Sequence, residues 1–118
     1  MTTGETVRNY FDRLQQKDGW ESLLADDIRF TSFTSPAKQA SGRDVYLEAT
    51  RRFFSMIAGV EVRDVMVDGE RACALTRYVV QPPGDGAAFH SDVAEIFTVR
   101  NGKIASLAIY FDPSPYSG

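Results

Sequence analysis

Apolar residues along this chain follow two rhythms. Near the start, Val7, Tyr10, Phe11 and Leu14 recur at i, i+3, i+4 and i+7, the spacing that gathers one stripe on an α-helix. Thr2 with Glu5 three residues on has the form of a capping box, and Gly19 is placed to close the far end. Asp18 with Glu21 opens a short second helix from Trp20 to Leu24, whose Trp20, Leu23 and Leu24 pack under a sheet. From Ile28 to Thr34 the period becomes two, with Ile28, Phe30 and Ser32 alternating against Arg29, Thr31 and Phe33 as in a strand. A loop with Pro36 and Gly42 follows, and Ser41 is set to cap a third helix with Asp44 in its first turn. Val45, Ala49, Phe53 and Met56 keep helical spacing until Gly59 stops it, and Tyr46, Phe54 and Ile57 widen the apolar face so far that it must be buried.

Beyond Gly59 the pattern is that of strands: Val60 to Val67, an Asp68-Gly69 turn, then Arg71 to Gln81. Pro82-Pro83-Gly84-Asp85-Gly86 is a loop, because two prolines and two glycines cannot sustain a ladder. Between Asp92 and Pro113 two apolar runs hinge on Asn101-Gly102, a pair that tolerates the positive φ angles of a tight hairpin turn. Pro113 and Pro115 end the pairing. Helices, one strand, a long helix and four consecutive strands make an α+β order, in which N-terminal helices cover one face of a curved antiparallel sheet and leave a cone able to hold a small molecule.

With 118 residues the expectation is a single domain over 1–118, burying roughly two thirds of the surface of its unfolded form. The 13 Lys+Arg and 16 Asp+Glu are scattered, net charge −3, so no basic stripe exists to neutralise phosphates and nucleic acid is not expected as a partner. Arg51-Arg52 is a solvated helix face or a subunit contact. The N-terminus lacks a basic start and an apolar core, and no run is long enough to cross a bilayer; no membrane association and a cytoplasmic location are expected. The single cysteine, Cys73, reads as a small buried hydrophobe, without zinc-ligand neighbours. Asp26, Asp27, Asp64 and Asp68 have no oxygen-ligand spacing, and Gly84-Asp85-Gly86 lacks the Lys-Ser/Thr end of a phosphate loop, so neither a metal nor another cofactor is expected.

The candidate chemistry is sparse. Glu95 shares a strand face with Val93, Phe97 and Val99. If that face lines the cone, its carboxyl is desolvated and can serve as acid, base or hydrogen-bond donor; if the strand is turned over, it is a surface charge. His90 and Asp92 have the opposite parity, and only a bulge would bring His90 inward to relay protons with Glu95. Tyr10 lies in the core stripe but needs a partner for its hydroxyl, and Tyr78, beside Thr76 and Val80, faces either the cavity or a cross-strand neighbour. Ser32 can hydrogen-bond a ligand. Trp20, Phe30, Phe54, Phe97, Leu107, Ile109 and Phe111 would form an apolar wall, and the same residues would equally make a core.

Three phrases carry a resemblance over essentially the whole chain. They are Trp20-Glu21-Ser22-Leu23-Leu24-Ala25-Asp26-Asp27-Ile28-Arg29-Phe30, Gly42 before the long helix, and Val99-Arg100-Asn101-Gly102-Lys103-Ile104 leading to Tyr110-Phe111-Asp112. In these the chain resembles the nuclear transport factor 2-like superfamily, specifically its SnoaL-like branch, which also includes ketosteroid isomerases and limonene-epoxide hydrolases. The resemblance implies the cone fold, and a scaffold that hosts isomerases, cyclases, hydrolases and non-catalytic modules. It places the isomerase base at Ser32, five residues after Asp27, and the aspartate of cyclases and epoxide hydrolases at Ile109, seven after Gly102, so both of those acids are missing. Tyr10 corresponds to the tyrosine that steadies the isomerase oxyanion, and Glu95 lies near the second, protonated donor of that pair. Relatives commonly dimerise through the outer sheet face, for which Val62, Cys73, Leu75, Ile96 and Thr98 are the candidates. The expected function is a pocket for a small apolar molecule, either a cofactor-free isomerase or cyclase of an apolar carbonyl compound with Glu95, Tyr10 and His90 as its chemistry, or a non-catalytic binding or dimerisation module.

Overall fold

A computed structural model describes residues 2–34 and 38–116. Helix α1 spans Thr3–Gln16; Thr2 accepts from the Glu5 amide and the Glu5 carboxylate accepts from the Thr2 amide, the reciprocal cap the sequence predicts. Such a cap is worth about 1 kcal/mol. Its stripe of Val7, Tyr10, Phe11 and Leu14 is buried. The helix ends earlier than expected, with Lys17 in the left-handed conformation (φ 58°) in the place assigned to Gly19. Gly19 (φ 77°) instead starts a one-turn 3-10 helix, Trp20–Leu23, without a side-chain cap from Asp18.

Six strands form one curved, open sheet in the order β2-β1-β6-β5-β4-β3. They are β1 (Leu24–Ser32), β2 (Lys38–Ser41), β3 (Ile57–Asp68), β4 (Arg71–Val80), β5 (Phe89–Arg100) and β6 (Lys103–Phe111). Neighbours are antiparallel except β1 and β6, which run parallel, so the sheet is mixed. Strand β2 is absent from the sequence pattern: Ser41 ends it instead of capping a helix, and the loop around Pro36 lies outside the described residues. Gly42 (φ 93°) turns the chain, its amide bonded to the Ile28 carbonyl at 2.8 Å, into helix α2, Arg43–Ser55. That helix stops at Met56, and Gly59 lies inside β3.

Both helices pack on the concave face, α1 against β3 to β6 and α2 against β1 and β2. Helix α2 is less buried than its wide apolar stripe predicts: Tyr46 is buried, Phe53 and Phe54 are half-buried, and Val45 is 56% exposed. It lies over the β1–β2 corner, reaching β4 through Phe53 against Tyr78, and a cavity lies beneath part of it.

Strand β5 alternates regularly, odd residues inward and even residues outward, and pairs with β4 through ten rungs without a bulge. The hairpin to β6 turns at Asn101-Gly102, both with positive φ (54° and 72°). Strand β3 bulges between Val62 and Asp64, which corrects one expectation: Val62 pairs with the inward Thr76 and packs on the core, while Met66, Cys73, Leu75, Ile96 and Thr98 lie on the outer face. Cys73 is there only half-buried, partly accessible on that face.

Candidate functional site

The inward parity of β5 settles how Glu95 is placed. It is 3% exposed, and both hydrogen bonds to its carboxyl reach Oε2, from the Thr76 hydroxyl and the Tyr78 hydroxyl, each at 2.7 Å. Thr76 and Tyr78 stand two residues apart on β4, so both project to the concave face beside it. Burial raises the Glu95 pKa from 4.5 to about 7, against the lowering effect of the two hydroxyls. Thr76 has one hydroxyl proton and two acceptors, Glu95 Oε2 at 2.7 Å and the Val93 carbonyl at 3.2 Å. It can donate to the ionised carboxylate, or turn to Val93 and accept from the protonated acid.

Two further tyrosines complete this cluster. The Tyr10 hydroxyl is buried and has no hydrogen-bond partner among the described residues. The Tyr46 hydroxyl and Glu95 are near enough to act on it, and Tyr10, Tyr46 and Tyr78 all have raised pKa values, caused first by burial and in each case also by the Glu95 charge. All three phenols therefore remain O–H donors across the neutral range. The sequence places Tyr46 only on a broadened helix face; its spacing of four to Thr50 and seven to Phe53 marks the side of α2 that faces the sheet.

A cavity of about 430 Å³ opens between α2, β1, β2, the end of β6 and the C-terminal turn Ser114–Tyr116. This lies in the usual range of ligand pockets, ~300–1,000 Å³. Phe30, Ser32, Ile109 and Phe111 line it, together with Phe53, Lys38 and Tyr116. Tyr116 donates to the buried Ser91 hydroxyl at 2.9 Å and packs edge-on against Phe89 and Phe111, so the C-terminal turn is a fixed wall of the cavity.

Glu95 does not line this cavity. Ile109 is its cross-strand partner, Phe53 stacks edge-on against Tyr78 with ring centroids 5.6 Å apart, and Phe30 packs on Tyr46 at 4.9 Å. The same three apolar side chains thus form cavity wall and touch or flank the acid cluster. Tyr78, Phe97 and Leu107 are core residues, with Phe97 held edge-on between Tyr10 and Phe11. Trp20 and Phe54 pack together at 4.6 Å and line a separate surface cleft bounded by Glu21, Asp44 and Arg51. His90 is exposed on the outer face of β5; no bulge turns it inward, so the relay from His90 to Glu95 is not assembled. Among the described residues no three His, Cys, Asp or Glu side chains converge as a metal site requires.

An α+β cone with helices on one side of an open curved sheet is the nuclear transport factor 2-like fold. A model of the SnoaL-like domain matches residues 7–107, and the chain belongs to that family. Among solved structures it is similar to a candidate SnoaL-like polyketide cyclase from Mesorhizobium loti (24% identity, TM-score 0.75, covering 93% of this chain and 99% of that one). It is similar also to an NTF2-like protein from Cytophaga hutchinsonii (17%, TM-score 0.77, 100% and 96%) and to a candidate ketosteroid isomerase from Kribbella flavida (22%, TM-score 0.73, 93% and 77%). At these identities the likeness is one of fold. Comparison with curated proteins gives no significant match. No helix among the described residues is long and apolar enough to cross a membrane.

Proposed function

We propose that this chain is a small-molecule pocket protein that carries out cofactor-free proton transfer, of isomerase or cyclase type, on an apolar carbonyl compound. The observation that carries the reading is Glu95, a buried carboxyl whose pKa stands near 7 and whose Oε1 receives no hydrogen bond from the described residues. An acid poised near neutrality both takes and returns a proton at little cost. In the reaction Glu95 removes the proton next to the carbonyl: the C–H bond breaks, an O–H bond forms at Glu95, and the electron pair moves onto the carbonyl oxygen. Tyr10, whose buried hydroxyl has no hydrogen-bond partner among the described residues, donates to that oxygen, and Glu95 then returns the proton at another carbon. Reaching Glu95 from the cavity requires Phe30 and Phe53 to move aside. The names of the similar cyclase and isomerase structures agree with this class of chemistry.

A second reading, a non-catalytic binding module, is favoured by the same cavity having no carboxylate among its lining residues. A panel of cyclic enones in heavy water, followed by mass spectrometry for carbon-bound deuterium, separates the two. Catalysis predicts exchange that falls at least ~100-fold in Glu95→Gln. Exchange that survives the substitution removes Glu95 as the base, and none above the protein-free rate with an enone that binds leaves the binding module.

The outer sheet face is the place for a second copy of the chain. Leu75, Ala94 and Tyr110 form one row across β4, β5 and β6, and Met66, Cys73, Ile96 and Ala108 form the next, with no helix among the described residues covering either. Met66 and Leu75 are 50% and 40% exposed, and Phe33 stacks on Tyr110 at the edge. Light scattering at micromolar concentration should give the mass of a dimer, and Leu75→Glu should give a monomer; a monomeric native chain rules the dimer out.

A further inference from the structure

The mouth of the cavity holds two donors with no acceptor among the described residues. Ser32 is the last residue of β1 and Lys38 the first of β2, and they are directly opposed in the antiparallel register. The rung above them pairs the buried Phe30 with the buried Ala40; two residues along, Ser32 and Lys38 share that inward side. Side chains so opposed have Cβ atoms about 4.5–5.5 Å apart. Ser32 is 5% exposed, lines the cavity, and its hydroxyl takes part in no hydrogen bond among the described residues. Among the described residues Lys38 is the only charged one that lines the cavity, and it enters no ion pair or hydrogen bond with any of them.

The position of Ser32 is held firmly. The Phe33 amide bonds to the Ile109 carbonyl at 3.0 Å, and the Thr34 hydroxyl both donates to the Phe111 carbonyl and accepts from the Phe111 amide. The end of β1 is thereby clamped to the end of β6, and the Ser32 hydroxyl cannot withdraw from the cavity by fraying. A buried hydroxyl without a partner and an adjacent, solvent-exposed ammonium without a counter-charge, both among the described residues, match two acceptor oxygens carrying one negative charge.

From this we infer that the ligand is a monocarboxylate with an apolar ring body. Its carboxylate sits at the mouth, one oxygen on the Ser32 hydroxyl and one on the Lys38 ammonium. Its ring body lies inward against Phe30, Phe53 and Ile109, with its far end nearest Glu95. The inference rests on the reading of this cavity as a ligand site, and not on Glu95 being catalytic.

Matched pairs differing only in charge test it: 2-naphthoate against 2-naphthamide and 4-phenylbutyrate against 4-phenylbutyramide, titrated calorimetrically and by amide chemical shifts. The native chain should bind each carboxylate about tenfold more tightly than its amide, the gain of a charge-assisted pair. Lys38→Met, which keeps the stem and removes the charge, should abolish that preference and leave the amides unchanged. Ser32→Ala should weaken the carboxylates about threefold on the same scale. Equal affinities in the native chain, or a preference that persists in Lys38→Met, overturn the carboxylate assignment while the cavity stays a ligand site. No binding by either member of any pair, with the Ile109 and Phe111 amide shifts unmoved, overturns the ligand-site reading and this inference with it.

Discussion

Two polar sites share the concave face of the sheet, and they are wired in opposite senses. At the floor, the acceptor Glu95 is ringed by donors: Thr76 and Tyr78 bonded to it, Tyr10 and Tyr46 close by. At the mouth, the donors Ser32 and Lys38 have no acceptor among the described residues. The floor mostly satisfies itself, so its chemistry is stored as a protonation state set by burial. The mouth is incomplete without something from outside. On the proposed reading, the clasp at the mouth would hold a molecule by one end and direct the other toward the acid, which lies outside the cavity lining.

The contrast breaks most visibly through pH, because the floor should carry a titration that the mouth lacks. The Glu95 carboxyl titrates near 7 when folded and near its ordinary 4.5 when unfolded. Between those values the folded chain holds more protons than the unfolded one, so stability falls as pH rises. The contribution is fully present below about pH 4.5 and lost as pH passes through about 7, a difference on the order of 3 kcal/mol. Glu5, Asp92 and Asp112 have lowered pKa values, so their contributions are lost only on acidification below the ordinary carboxylate range and do not mask this window. Urea unfolding at pH 5 and pH 8 should find the native chain more stable at pH 5, and Glu95→Gln without that difference. A native chain equally stable at both would mean that Glu95 stays ionised in contact with water.

Much of this arrangement is legible in the residues, and the gaps have physical causes. The stripe of α1, its Thr2/Glu5 cap and the Asn101-Gly102 hairpin depend on local chemistry, and each forms where the pattern puts it. The odd-numbered parity of Val93, Glu95, Phe97 and Val99 was readable too; which face it met was not, since that is decided by β4 and β6 on either side. Strand β2 was invisible because Lys38-Gln39-Ala40-Ser41 has one apolar residue and is held by backbone pairing to β1. With β2 went Lys38, which became a pocket residue only through its register with Ser32. Tyr46 and Tyr116 escaped for a similar reason: each acquires its role from a distant element, Tyr46 from Phe30 on β1 and Tyr116 from Ser91 on β5. The breadth of the apolar stripe on α2 misled in the other direction, since part of that helix roofs a cavity and leaves Val45 in solvent.

The finest test of the contrast is the one donor at the floor that resembles the mouth. Tyr10 has a buried hydroxyl without a hydrogen-bond partner among the described residues, with the Tyr46 hydroxyl and Glu95 near enough to act on it. In the empty protein that hydroxyl is a liability, because an unsatisfied buried donor costs about 1–3 kcal/mol. Its ring, by contrast, is useful packing, edge-on to Phe11, Trp20 and Phe97. Tyr10→Phe keeps the ring and removes the liability, so the empty chain should be as stable as before or more stable by about 1 kcal/mol. An enone bound at Glu95 should at the same time lose affinity or exchange rate, since its oxygen loses the donor. Urea unfolding of the empty variant together with enone titration reads both effects. A variant that is destabilised when empty and unchanged toward the enone would show that the hydroxyl already serves the fold, and the floor would then hold no open donor at all.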